Sequence, residues 1–195
     1  MAKYIKQISI NKGAVTGVTA VDLPGLLFSN VNVPVGNTVT STSETALTSK
    51  ATVKANTLQD GDVLTVKLAG TYGGTVLPTL RGKVKFGGVT IADTTPITGL
   101  VTGSGLAWRA EITAIIQDTG VGTGTGMAAS LQAEGAAFFS TALITALNVL
   151  VASTQNTSIN TEVDNDVTVT IQWGVGGTGQ TITLDQMTVK VERVP

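Results

Sequence analysis

Trp108-Arg109-Ala110-Glu111-Ile112-Thr113-Ala114-Ile115-Ile116 places Trp108, Ala110, Ile112, Ala114 and Ile116 in one phase and Arg109, Glu111 and Thr113 in the other. A period of two sends successive side chains to opposite faces of an extended chain, so this stretch reads as a strand with one buried and one wet side. The same alternation recurs on either side of it. Leu64, Val66 and Leu68 share a face; Leu80, Val84 and Phe86 face away from Arg81, Lys83 and Lys85; Val167, Val169, Ile171 and Trp173 repeat the pattern. A last strand runs from Thr181 to about Val194, and its apolar phase slips between Leu184 and Met187, which predicts a bulge near Asp185 and Gln186.

Glycine punctuates these runs at Gln59-Asp60-Gly61, Gly73-Gly74, Gly87-Gly88, Gly103-Ser104-Gly105, Gly120 to Gly126 and Gly174 to Gly179. Eight to ten strands fit between such turns. Repeated strands with little helical periodicity predict an all-β, antiparallel sandwich or jelly roll, and exclude a βαβ sheet. Only Ala136 to Leu147 is ambiguous. Phe138, Phe139, Leu143, Ile144 and Leu147 fit a helical face as well as a strand, so a short helix stays open there.

Composition agrees. The chain has 195 residues, enough for one sizeable domain, and is 42% hydrophobic but only 13% charged, against about 25% charged in an ordinary soluble domain. Threonine, which outnumbers even the 23 glycines, combines strand propensity with a hydroxyl that tolerates water. A net charge of −1 offers no basic field for phosphates, so nucleic acid is not expected as a partner. There is no cysteine and no histidine. Disulfides, thiolate chemistry and cysteine-ligated metals are thereby excluded, and so are the commonest general base and transition-metal ligand. No cofactor, no metal and no enzymatic activity are expected.

Residues 1–43 differ from the rest. Asp22 is their one acid, Lys3, Lys6 and Lys12 their basic residues, and Pro24 and Pro34 interrupt the pattern. The apolar clusters Tyr4-Ile5, Ile8, Ile10 and Leu26-Leu27-Phe28 predict an arm that lies against something, or in part a first strand of the core. The N-terminus lacks a continuous apolar run, so no secretory signal is expected. The most apolar window, Ala136 to Ala152, is broken by Ser140, Thr141, Thr145 and Asn148, so no membrane span is expected either. Residues 44–195 form the β-domain.

Several motifs fail on inspection. Gly174-Val-Gly-Gly-Thr-Gly-Gln180-Thr181 has the spacing of a phosphate loop, but glutamine stands where the lysine would meet the phosphates, and a strand rather than a helix follows. It reads as a hairpin loop. Gly120 to Gly126 lacks the βαβ unit of a dinucleotide fold. Asp60-Gly-Asp62 and Asp164-Asn-Asp166 do not continue into a calcium loop and read as turn and strand-start residues. Asn156-Thr-Ser158 has the form of a glycosylation sequon but reads as a polar turn. Glu111, Glu134, Glu162 and Asp185 are candidates for a glycosidase-type carboxylate pair. Two Trp, two Tyr and four Phe in all are few for a sugar-stacking cleft, so solvated charges are the better reading. Trp108, Phe138, Phe139 and Trp173 are candidates for core or for a trimer interface.

Glu44-Thr45, Ala55-Asn56-Thr57-Leu58 with Gly61-Asp62, the Gly87-Gly88 turn, Ala107-Trp108-Arg109-Ala110-Glu111, and Asp166 through Val169-Thr-Ile-Gln-Trp173 together resemble a family. These phrases are similar to the trimeric, tumour-necrosis-factor-like jelly-roll domains of structural proteins from tailed bacteriophages, over about residues 44–194. The resemblance implies a homotrimer on the virion, made in the host cytoplasm, that acts as a capsid decoration or cement protein or as a fibre knob. In the first case the major capsid protein or another virion protein is the partner, with residues 1–43 as anchor through Tyr4, Ile5, Ile8, Ile10, Leu26, Leu27 and Phe28. In the second the partner is a bacterial surface glycan. Trimerisation suits a mean hydropathy of +0.31, because a three-fold assembly can bury a sheet face that a monomer leaves wet.

Overall fold

A computed structural model describes the backbone of residues 25–30, 38–75, 79–98, 100–119, 129–140, 146–175 and 179–193, and side chains within 38–75, 79–98, 100–119, 132–139, 159–175 and 179–193. Eleven strands and no helix occur among the described residues. They are β1 (Gly25–Asn30), β2 (Thr38–Val39), β3 (Thr45–Val53), β4 (Val63–Gly74), β5 (Leu80–Phe86), β6 (Val89–Asp93), β7 (Gly103–Asp118), β8 (Ala129–Ser140), β9 (Ala146–Ile159), β10 (Asn165–Trp173) and β11 (Thr181–Glu192). The stretch Ala136 to Leu147, for which a helix stayed open, is the end of β8 and the start of β9; residues 141–145 lie outside the described set.

Two antiparallel sheets pack face to face. The larger runs β1–β11–β4–β7–β8–β9, with β2 also paired to β11; the smaller runs β3–β10–β5–β6. The period-two phases explain the layering. Leu64, Val66, Trp108, Ile112, Ile116, Leu184 and Val189 of the large sheet, and Leu80, Phe86, Val167, Val169, Ile171 and Trp173 of the small one, are all buried between the sheets. Each Val, Leu, Ile or Phe so buried contributes roughly 1.5–3 kcal/mol against exposure. The expected phase slip in the last strand is present: the β4–β11 register shifts between Leu184 and Gln186, so that Asp185 is an extra residue and Met187 points inward again.

Both tryptophans tie separate strands together. Trp173 Nε1 donates to the Val39 carbonyl at 3.1 Å, joining the small sheet to β2 of the large one. Trp108 Nε1 donates to the Thr183 carbonyl at 3.0 Å, reaching across β4 to β11. It can do so because Gly70 lies between: a Cβ there would sit 1.9 Å from that carbonyl oxygen and 2.8 Å from the indole nitrogen. The β5–β6 hairpin closes through Gly87 and Gly88, with φ of 57° and 82°, the positive pair that a two-residue turn demands.

The antiparallel order gives the sandwich two ends. At one, which we call the base, lie residues 54–62, 117–119, 160–164 and 192–193 and the first residue of β1, Gly25, paired with Val191. At the other lie the described residues 40–43, 75, 79, 94–98, 100–102, 174–175 and 179–180.

Candidate functional site

The base is built as a rigid platform. Asp60 Oδ1 accepts from the Thr119 backbone N–H at 2.8 Å and its hydroxyl at 3.0 Å, and the Thr161 hydroxyl donates to the Thr119 carbonyl at 2.7 Å. Asp62, whose side chain is 1% exposed, accepts from the Gln59 N–H at 2.8 Å and pairs with Arg193 at 3.2 Å. Asn165 donates to the Asn160 and Val163 carbonyls, and Asn56 N–H to the Thr161 carbonyl. Four loops are thereby cross-linked. Asp60-Gly-Asp62 is a turn whose carboxylates bind backbone and Arg193, as the sequence indicates. Asp164 and Asp166 likewise serve the strand start, where Asp164 accepts from Ala55 N–H and Lys54, and Asp166 from Lys50 and Thr52. Lys54 and Lys50 respectively hold these two carboxyls below the usual carboxylate range.

β1 begins at this base with Gly25. Tyr4, Ile5, Ile8 and Ile10 lie outside the described residues. Leu26, Leu27 and Phe28 belong to β1, at one edge of the large sheet, so part of 1–43 is strand in the same sandwich as the rest. Trp108, Phe139 and Trp173 are buried in the core; Trp108 stacks on Phe139 at 6.3 Å between centroids, and Tyr72 meets Phe139 edge-on at 5.5 Å. Phe138 is different. It lies half-buried on the outer face of the large sheet under the Arg109 guanidinium, 4.9 Å from the ring centre.

Among the described residues the opposite end carries no charge: residues 40–43, 75, 79–80, 94–98, 100–108, 146–147, 174–175 and 179–184 contain no Asp, Glu, Lys or Arg. There Gln180 is 1% exposed, and neither its amide nitrogen nor its oxygen meets a hydrogen-bond partner among the described residues. Gly174 to Gly179 falls between β10 and β11, strands of different sheets that do not pair, so the connection crosses from one sheet to the other and is not the hairpin the sequence suggests; a strand, not a helix, follows it. The Gly120 to Gly126 stretch lies outside the described residues, and Asn156 to Ser158 fall within β9.

The outer face of the small sheet holds an ion cluster that sequence reasoning missed. Glu44 accepts from Lys83 and Lys85, each at 2.5 Å, and from the Thr170 hydroxyl at 3.0 Å. Lys83 first, then Lys85, lowers its carboxyl to about 2 against an opposing effect of burial. Beside it Arg81 forms a two-pronged pair with Asp93, which lowers that carboxyl as well. The phase of Arg81, Lys83 and Lys85 is legible in the sequence; that Glu44 stands opposite them depends on the β3–β10–β5 pairing.

Of the four candidate carboxylates, Glu111 and Glu134 come together as diagonal neighbours, since Glu111 pairs with Ala136 and Thr113 with Glu134. Both are exposed on the outer sheet face, and Glu111 is engaged by Lys67 at 3.1 Å. Glu162 lies at the base and Asp185 at the β11 bulge, apart from them. Among the described residues no group of three acids is placed to hold a metal ion, and no helix is long and apolar enough to cross a membrane. A cavity between the sheets, lined by Leu68, Val84, Ile112, Phe139 and Ile171, measures about 40 Å³, far below the few hundred Å³ that a small ligand fills. The chain is thus an all-β protein of two packed antiparallel sheets. Comparison with protein-family models, with curated proteins and with solved structures finds no match to it.

Proposed function

We propose that this protein is a homotrimeric jelly roll of the tailed-phage virion, a capsid decoration protein that binds the assembled shell through its N-terminal segment and works by assembly, not by turnover. The strand order supports the jelly-roll reading. With the β8–β9 hairpin set aside, the sheets read β1/β2–β11–β4–β7 and β3–β10–β5–β6, the order that two nested Greek keys produce from eight successive strands. The observation that carries the functional reading is that β1, which follows the apolar, nearly acid-free residues 1–24 in the sequence, begins at the hydrogen-bonded base, so in this reading the arm and the platform face the shell together. Several such arms on one particle add avidity without any single strong contact. Deleting residues 1–24, which leaves β1 intact, should abolish co-sedimentation with undecorated phage heads while circular dichroism and oligomeric mass stay those of the full chain. Undiminished binding would reject the anchor.

The charge-free loop end favours one second reading, a fibre knob whose neutral, hydroxyl-rich tip reads a bacterial surface glycan. In that case the isolated protein binds host cells or their polysaccharide, and the deletion of residues 1–24 leaves that binding intact.

A further inference from the structure

Gly70 and Gly135 are glycine for a steric reason. A Cβ on Gly70 would sit 1.9 Å from the Thr183 carbonyl oxygen, and one on Gly135 2.5 Å from that of Glu111, so the neighbouring strands leave no room. Gly82, within β5, is under no such pressure. Its backbone is not in the left-handed region, and a Cβ there would meet only Ile171 Cδ1 at 3.6 Å and Thr94 Cγ2 at 3.7 Å, the ends of two side chains at ordinary contact distance. Glycine weakens a strand and packs against nothing. A side chain is therefore missing at a place that would take one.

The space it leaves belongs to a larger gap. Gly82 and Ala92 of the small sheet, with Ala110 and Ala137, paired side by side on β7 and β8, line the cavity between the sheets. Small residues thus meet here, while Leu, Ile, Val, Phe and Trp fill the rest of the interior. The gap holds no sugar, but its volume of about 40 Å³ has room for about three water-sized spheres at roughly 10–15 Å³ each. Water itself is a poor occupant, because a buried water needs about 2–4 polar partners. The polar side-chain groups that border the gap are all engaged elsewhere. Lys83 Nζ is bound to Glu44 on the outer face at 2.5 Å, the Thr94 hydroxyl accepts from Gly82 N–H at 2.9 Å and donates to the Thr95 carbonyl at 2.8 Å, and Trp108 Nε1 donates to the Thr183 carbonyl.

We infer that this gap is an internal binding site for one small apolar molecule, a gas atom or a hydrocarbon of about three heavy atoms with no polar group, seated against Gly82 between the two sheets. The atoms around an apolar void forfeit dispersion contacts, and an apolar guest restores them without leaving any polar group unpaired. Such a site is independent of the assembly proposed above, since every residue that borders it comes from one chain.

Xenon, an apolar atom that makes no hydrogen bond, is the probe. On the full chain with isotope-labelled alanine and isoleucine methyls, dissolved xenon should shift the Ala92, Ala110, Ala137 and Ile171 signals along saturating curves. Methyls on the exposed outer faces, such as Ala46 and Ile115, should move little and in proportion to xenon pressure. Gly82→Ala places a methyl in the same space and should weaken xenon binding roughly tenfold or more, the effect that one methylene has in an apolar pocket. Shifts that stay linear at the four interior methyls, or an unchanged xenon curve in a folded Gly82→Ala protein, would overturn the site. Should Gly82→Ala fail to fold, the unaltered protein decides: saturating shifts confined to those four methyls and their neighbours around the gap support the site, and saturating shifts centred elsewhere reject it.

Discussion

Glu44 joins three strands through one carboxylate. It sits just before β3, accepts from Lys83 and Lys85 of β5 and from Thr170 of β10, and its carboxyl is lowered to about 2. Because 29% of the side chain stays in water, screening limits the cluster to about 1 kcal/mol. The sign follows from linkage: a carboxyl held low in the folded state adds stability above its unfolded pKa, and the contribution fades as pH falls toward the folded one. Glu44→Gln should therefore lower the urea midpoint at pH 7 by an amount equivalent to about 1 kcal/mol. The gap to the unaltered protein should close steadily from about pH 4.5 down to about 2. A gap that persists unchanged at pH 2.5 would mean that packing, not charge, holds the cluster.

At the scale of elements, the meeting of β4, β7 and β11 turns on one missing side chain. Gly70 pairs with Trp108 on one side and Leu184 on the other, and its bare Cα lets the indole N–H pass to the Thr183 carbonyl. A methyl at that point collides with backbone on β11, which cannot rotate away, so Gly70→Ala should destabilise by about 3 kcal/mol or more. Thermal unfolding measures the loss, and a red-shifted tryptophan emission would report the displaced indole. A melting temperature within a degree of the parent would contradict the contact. Elements of this kind were only partly legible in the sequence. The faces of β4, β5, β7, β10 and β11 could be read because large apolar residues alternate with charged or hydroxyl ones, and even the β11 bulge shows as a slipped phase. β8 could not. Its inward residues include Ala133 and Ala137, too small to stand out, and the adjacent Phe138 and Phe139 point to opposite faces, which mimics a helical stripe. Pairing partners were not legible at all, because Glu44 beside Lys83 or β1 beside β11 joins residues far apart in the chain, and no local pattern encodes that.

For the whole molecule, the consequence of this topology is that the large sheet cannot be completed before its last described strand arrives. β11 lies inside the sheet, with β1 and β2 on one side and β4 on the other, and it supplies Ile182, Leu184, Met187 and Val189, each at most 1% exposed, to the core. At roughly 1.5–3 kcal/mol apiece, these four side chains are worth about 6–12 kcal/mol, the same size as the 5–15 kcal/mol by which a whole domain is usually stable. Pairing between the first and the last strands also closes the longest loops of the chain, which slows folding. A chain ending at Gln180 should therefore show no cooperative thermal transition and should be cut rapidly by trypsin at Lys50, Lys67, Arg81 and Lys83. Adding a synthetic peptide of residues 181–193 should restore both the transition and the resistance, since the strand pairs through its backbone along both edges. Were the shortened chain to melt cooperatively by itself, the small sheet with β4, β7 and β8 would be an independent folding unit, and β11 an addition to the sandwich, not its keystone.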